Sequence, residues 1–378
     1  MIPVNEPLLA AEDIAAVTDA VNSGWISSAG KYIEEFENSW ASYCGVEFGI
    51  AVSNGTTALQ IAIEASGIGK GDEVILPSYT IISCINAVVR VGAKPVLVDC
   101  LPDTFCMDVS QIGAKITKCT KCIMVVHMFG HPVDMDPVIA LSEQHGLIII
   151  EDAAEVHGAK YLSHRSSANQ NWRICGGMGH ISTFSFFANK LITTGEGGMV
   201  ITNNPDFARR ARDLRNLCFR ADRRFLHTEL GHQFRLTNMQ AALGVGQVKR
   251  IESIVQRKRD IAFAYDAKLA DLTNLQRPIE HNWARSVFWV YSLVLSDEID
   301  FDAKIFADRL KAEGVETRPF FLGMHEQPVL LDMGLFNGES YPVTERIAKR
   351  GLYIPSGMAI STVQIETVSQ VVHHVINS

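Results

Sequence analysis

A chain of 378 residues, 47% hydrophobic and 20% charged, is longer than one hydrophobic core usually serves and too apolar for a disordered protein. A large and a small domain follow, expected at 1–245 and 246–378. The formal net charge of -8 argues against a nucleic-acid partner, and the arginine clusters at 209–212 and 220–224 are interleaved with acids or aromatics. No apolar run approaches the roughly 20 residues of a bilayer-spanning helix, and Met1-Ile2-Pro3-Val4-Asn5 lacks the pattern of an export leader, so a cytoplasmic protein with no membrane role is expected.

From residue 48 onward short apolar runs alternate with helix-like stretches. Strands are expected at 49–52, 73–76, 95–98, 122–127, 147–151, 182–187 and 199–202. Between them 57–65, 82–91 and 135–145 place apolar residues three and four apart, as amphipathic helices do. Such alternation requires crossovers, hence an α/β fold with a largely parallel sheet covered on both faces. The polar segment 161–179 reads as a surface loop. Residues 236–270 read as one helix leading out of the large domain, and a strand at 287–295 with helices at 302–313 and 362–376 suggests a smaller α+β unit. Eight dispersed cysteines, several inside apolar runs, read as reduced thiols. Only Cys119-Thr-Lys-Cys122 has metal-like spacing, and with no second pair nearby no metal is expected.

Three segments carry chemistry. Ser53-Asn-Gly-Thr-Thr-Ala-Leu59 follows a strand and opens a helix, where free N–H groups of Gly55, Thr56 and Thr57 suit a phosphate or simply mark a capped start. Leu147-Ile-Ile-Ile-Glu-Asp-Ala-Ala154 delivers two acids at a strand's carboxyl end, where ligands of open α/β sheets bind; an aspartate there either holds a cationic ring nitrogen or caps the next turn. Thr183-Phe-Ser-Phe-Phe-Ala-Asn-Lys-Leu-Ile-Thr-Thr-Gly-Glu-Gly-Gly198 sets a lone lysine between an aromatic strand and a glycine-rich turn, which suits a desolvated amine able to attack a carbonyl, or a lysine reaching for water.

Taken together, S-F-x-x-x-K-x-x-x-x-G-E-G-G, E-D-A-A and S-N-G-T-x-A-L resemble the DegT/DnrJ/EryC1/StrS family of sugar aminotransferases. The likeness extends to Trp25-Ile-Ser-Ser28, Gly71-Asp-Glu-Val-Ile-Leu-Pro77, His127-Met-Phe-Gly-His-Pro132, Asn238-Met-Gln-Ala-Ala242 and Glu316-Thr-Arg-Pro319 with Met324-His325, nearly the whole chain. It implies the aspartate aminotransferase type I fold, with a mostly parallel seven-stranded sheet in the large domain, and pyridoxal 5'-phosphate as cofactor. By resemblance Lys190 is the Schiff-base lysine and, once released, the base that moves a proton. Asp152 is the partner of the pyridinium nitrogen, Glu155 lies beside the ring, and Ser185 joins Gly55, Thr56 and Thr57 on the phosphate. Ile81 stands where the family commonly stacks an aromatic on the ring. Gln233, in Gly231-His-Gln-Phe-Arg235, stands where an asparagine reaches the neighbouring subunit's phosphate, so a homodimer with shared sites is implied. Arg318 and His325 are implied to border the substrate, while the other motif histidines, 127, 131 and 232, read as hydrogen-bonded structural residues or, as the alternative, substrate contacts.

The resemblance implies L-glutamate as donor and a nucleotide-linked 4-keto-6-deoxy sugar as acceptor. The runs at 25–31, 184–187, 192–199 and 235–238, with Phe288-Trp289 and Tyr291, are most similar to members that aminate C4 of GDP-4-keto-6-deoxymannose. UDP- and dTDP-linked sugars are the alternatives. A dehydratase of the same fold carries histidine in place of the lysine, and a non-catalytic regulator would be expected to lose the lysine or the aspartate; this sequence has both. A nicotinamide-dependent oxidoreductase would need a G-x-G-x-x-G after a strand, which is absent.

Overall fold

In the computed structural model residues 1–164, 172–220 and 222–378 are described. The strands are β1 Phe48–Val52, β2 Glu73–Pro77, β3 Lys94–Val98, β4 Thr120–Val126, β5 Ile148–Asp152, β6 Lys160–Leu162, β7 Trp172–Ile174, β8 Ile181–Ser185, β9 Gly198–Thr202, β10 Leu275–Gln276, β11 Ala284–Arg285, β12 Tyr291–Leu295, β13 Arg318–Pro319 and β14 Gly351–Ile354. The helices are α1 Ala11–Asn22, α2 Lys31–Cys44, α3 Gly55–Ala65, α4 Ile82–Arg90, α5 Ile112–Lys115, α6 Met135–His145, α7 Pro205–Arg215, α8 Asn238–Lys249, α9 Ile251–Lys268, α10 Ala303–Ala312, α11 Pro328–Asp332, α12 Pro342–Arg350 and α13 Thr362–Asn377.

Seven strands form the main sheet in the order β1-β9-β8-β5-β4-β2-β3. The pairs from β8 to β3 are parallel, whereas β9 runs antiparallel to both β8 and β1. This is the mostly parallel α/β sheet expected from the apolar runs, which are continuous because helices cover both faces; β5 and β8, for example, are buried along nearly their whole length. A four-stranded antiparallel sheet, β10-β12-β14-β13, forms the smaller C-terminal unit.

Two expectations change. The segment 161–179 is not simply a loop: β6 and β7 pair antiparallel within it, and β11 adds a third strand, while 165–171 lie outside the described residues. The single helix expected at 236–270 is two, broken at Arg250 (φ -107°, ψ 8°), whose side chain turns to the buried carboxylate of Asp13 on α1. The expected boundary at 245/246 lies within α8. The next helix, α9, serves both cores: Ile251, Ile254 and Val255 belong to the larger one and Ile261, Ala262 and Tyr265 to the smaller. All eight cysteines are free thiols, and all but Cys119 are buried. Among the described residues no cluster of three or more metal-ligating side chains forms, and no helix is long and apolar enough to cross a membrane.

Candidate active site

β5 ends in Glu151 and Asp152, and strand alternation sends the two carboxyls to opposite faces. Glu151 accepts from Gly176 N–H at 2.8 Å, Met178 N–H at 2.7 Å and the Gly179 N–H, and from His127 Nε2 at 3.0 Å. Val133 N–H donates to His127 Nδ1 at 2.9 Å, so the ring hydrogen sits on Nε2. Burial alone would raise the Glu151 carboxyl; the bonds from His127 and the backbone hold it below the usual range. Glu151 is therefore spent on anchoring the loops around it. Asp152 is the acid that faces outward from the strand end.

It faces a cavity of about 640 Å³ at the carboxyl ends of β4, β5 and β8. Lys190, Glu155, Ser185, Ile81, Gly55, Thr56 and Thr57 all line it with Asp152. Lys190 Nζ lies 3.8 Å from Glu155 Oε1 and 3.7 Å from the centre of the Trp289 ring. Trp289 is itself pinned, its indole N–H donating to Asn189 O at 2.8 Å. Burial pulls the Lys190 ammonium below its ordinary pKa, opposed by Glu155 and Asp152. Burial also raises Glu155 to about 7, although Lys190 and the N–H of Phe129, 2.8 Å from Oε2, pull the other way. Asp152 is raised by the same loss of water, against hydrogen bonds from Cys84 at 3.1 Å and Ala154 N–H at 3.1 Å. A buried amine whose charge is disfavoured by burial thus sits beside two acids.

The N-terminus of α3 forms one wall. Asn54 caps it, accepting from Thr57 N–H at 2.9 Å, so that group is already satisfied. Gly55 and Thr56, in the first turn, have no carbonyl one turn back to bond, and their N–H groups face an open end of positive dipole. A Cβ at Gly55 would stand 2.7 Å from Ser185 Cβ, so only glycine lets this turn close on the end of β8. Thr56 Oγ1 meets Ser83 Oγ of α4 at 2.8 Å, which ties the turn to the segment carrying Ile81.

Three expected residues lie elsewhere. Gln233 lines a separate concavity of about 430 Å³ with Ser28, Arg215, Arg224 and Arg235. Arg318 lines a smaller neighbouring space of about 280 Å³ that shares Asn189, Trp289 and Tyr353 with the main cavity, and its Nη1 is 2.6 Å from Glu316 Oε1. His325 does not reach the cavity: it is buried against the Tyr341 ring, with Nε2 3.1 Å from Glu345.

The profile of the DegT/DnrJ/EryC1/StrS aminotransferase family matches residues 7–375. The chain belongs to this family. It is 39% identical over 368 residues to the GDP-perosamine synthase of Caulobacter vibrioides, covering 97% of this chain and 96% of that protein. It is 37% identical to the GDP-perosamine synthase of Escherichia coli O157:H7, covering 96% of this chain and 95% of that one. The crystal structure of the aminotransferase TlmJ from Streptoalloteichus hindustanus superposes with a TM-score of 0.90 at 30% identity, covering 100% of this chain and 99% of that one. The protein is an aminotransferase with the type I aminotransferase fold.

Within this family member, the sequence alone gives Trp289 no place under Lys190 and leaves Cys84 among the reduced thiols. Nothing local signals either role, since Trp289 lies 99 residues from Lys190 and Cys84 lies 68 from Asp152, and only the fold brings each pair together.

Proposed function

We propose that this family member transfers the amino group of L-glutamate to C4 of a nucleotide-linked 4-keto-6-deoxy sugar, using pyridoxal 5'-phosphate. The observation that carries this reading is the meeting, in one cavity, of a buried amine, a buried carboxylate at a strand end and an open helix N-terminus. These are the three fixtures the cofactor needs: an amine for its aldehyde, an anion for its ring nitrogen and N–H donors for its phosphate. When bound, the cofactor supplies an aldehyde carbon that takes up the amino group and a cationic ring that draws electrons. Lys190 holds the cofactor and, once released, carries the proton, a task its lowered pKa suits. Asp152 keeps the ring nitrogen protonated, and Gly55, Thr56 and Ser185 hold the phosphate, with Thr57 supporting the turn through its bonds to Asn54. Ile81 would offer the ring an aliphatic face, and Glu155, held between Lys190 and the Phe129 N–H, would stand beside it.

The identity to two GDP-perosamine synthases supports GDP-4-keto-6-deoxymannose as acceptor and GDP-perosamine as product, a step of O-antigen or lipopolysaccharide synthesis. Arg318, half-exposed at the mouth of the adjoining space, is suited to an anionic group of either substrate. A homodimer accounts for Gln233: the concavity it lines is bordered in sequence by the exposed apolar residues Trp25, Ile26 and Leu230, which a second copy would cover.

Two measurements test the reading. Borohydride reduction in the presence of pyridoxal phosphate is expected to add the cofactor's mass to the peptide containing Lys190, and to nothing in Lys190→Ala, which should lose turnover by several orders of magnitude. Incubation with glutamate and GDP-, UDP- and dTDP-linked 4-keto-6-deoxy sugars should give an aminated GDP sugar; turnover of the UDP or dTDP substrate alone would move the assignment to that nucleotide.

A further inference from the structure

We infer that Cys84 is a positioning residue whose thiol hydrogen bond keeps the buried Asp152 carboxylate ionised, and thereby holds the proton on the cofactor's ring nitrogen. Cys84 lies in the first turn of α4, with Sγ 3.1 Å from Asp152 Oδ2 and 3.2 Å from Thr80 Oγ1. All three side chains are buried. An ionised carboxylate only accepts, so the thiol hydrogen points at Asp152 and the sulfur is left to accept from the Thr80 hydroxyl. The result is a directed chain from Thr80 through Cys84 to Asp152, each link polarising the next.

A carboxylate stripped of water is held ionised only by the donors and charges that replace it. Here Ala154 N–H serves Oδ1 and Cys84 serves Oδ2. The other charged or titratable groups that act on it are Lys190, which helps, Glu155, which opposes, and His127, whose hydrogen is committed to Glu151. Burial keeps Cys84 itself a thiol, hence a lasting donor. Without it, the proton shared between ring nitrogen and Asp152 tilts toward the oxygen, and the ring draws electrons less strongly.

This rests on Asp152 being the partner of the ring nitrogen, as proposed above. The test loads the full-length protein and its Cys84→Ala, Cys84→Val and Cys84→Ser forms with pyridoxal phosphate carrying ¹⁵N in the ring, and reads the nitrogen chemical shift. In the Ala and Val forms the signal should move toward neutral pyridine, with kcat falling about fivefold and KM for glutamate changing less than about twofold, the loss of one weak donor. The Ser form, which restores a donor, should stay near the wild type. Val fills the volume of the thiol, so a signal that moves in Ala but not in Val makes the effect one of packing and overturns the inference. So does a Ser form that moves as far as Ala. Wild-type protein that takes up no labelled cofactor overturns the proposed function and this inference with it, an outcome distinct from bound cofactor whose signal ignores residue 84.

Discussion

Glu155 occupies an awkward position: it is buried, yet lies within 3.8 Å of an amine that burial also discourages from being charged. Its folded pKa, about 7, lies above the ordinary glutamate value, so its contribution to stability is fully present in acid and is lost as the pH rises through 7. Glu155→Gln keeps an acceptor for the Phe129 N–H but cannot ionise. Melting temperatures of the cofactor-free proteins at pH 5 and pH 8 should therefore diverge, the Gln form gaining on the order of 5 °C relative to the wild type at the higher pH. A constant difference across that range would show that Glu155 does not titrate there. At this scale the sequence is informative where chemistry is local: Lys190, Asp152 and Gly55 each stand in a short segment whose residue types announce an amine, an anion and a tight turn. It is silent where chemistry is assembled across the fold, as with the Trp289 ring under Lys190. The Glu151-Asp152 pair shows the boundary between the two cases, because which acid faces the cavity depends on register, and register is fixed by β4 and β8 on either side.

At the scale of elements, the long buried strands were legible because an apolar run bounded by turns has few other uses, whereas strands of two or three residues such as β10, β11 and β13 carry no period to read. α1 escaped for a different reason. Its buried positions are Asp13 and Ala20 while Ile14 and Val21 are exposed, so burial and hydrophobicity do not coincide along it. The break between α8 and α9 was also hidden, since 236–270 contains no proline and the interruption is set by a tertiary contact. Arg250 reaches Asp13, a carboxylate that is 0% exposed and also accepts from Ala10 N–H at 2.8 Å. Arg250→Met should lower stability by about 3 kcal/mol, because it strands a buried charge. Urea denaturation would show this as a lower midpoint, and adding Asp13→Asn should recover part of the loss. An unchanged midpoint would mean that Asp13 finds its compensation elsewhere.

The whole molecule presents apolar side chains that a lone chain has no reason to expose: Trp25 is 61% accessible, Phe225 81% and Leu230 91%. They lie close in sequence to Ser28, Ala29, Arg224 and Gln233, four of the residues that wall the concavity. Trp25→Glu combined with Leu230→Glu should convert a dimer to a monomer in light scattering and weaken retention of the cofactor. A double variant that stays dimeric with full cofactor occupancy would place the interface elsewhere.

Burial of the thiols has a practical side. Seven of the eight are enclosed, and burial pushes Cys100 and Cys106 up to about 12, so a maleimide dye at neutral pH has Cys119 as its accessible target. That residue immediately precedes β4, whose far end, Val126, lines the cavity, a strand's length of about 20 Å away. A fluorophore attached there would report cofactor uptake by energy transfer from outside the cavity.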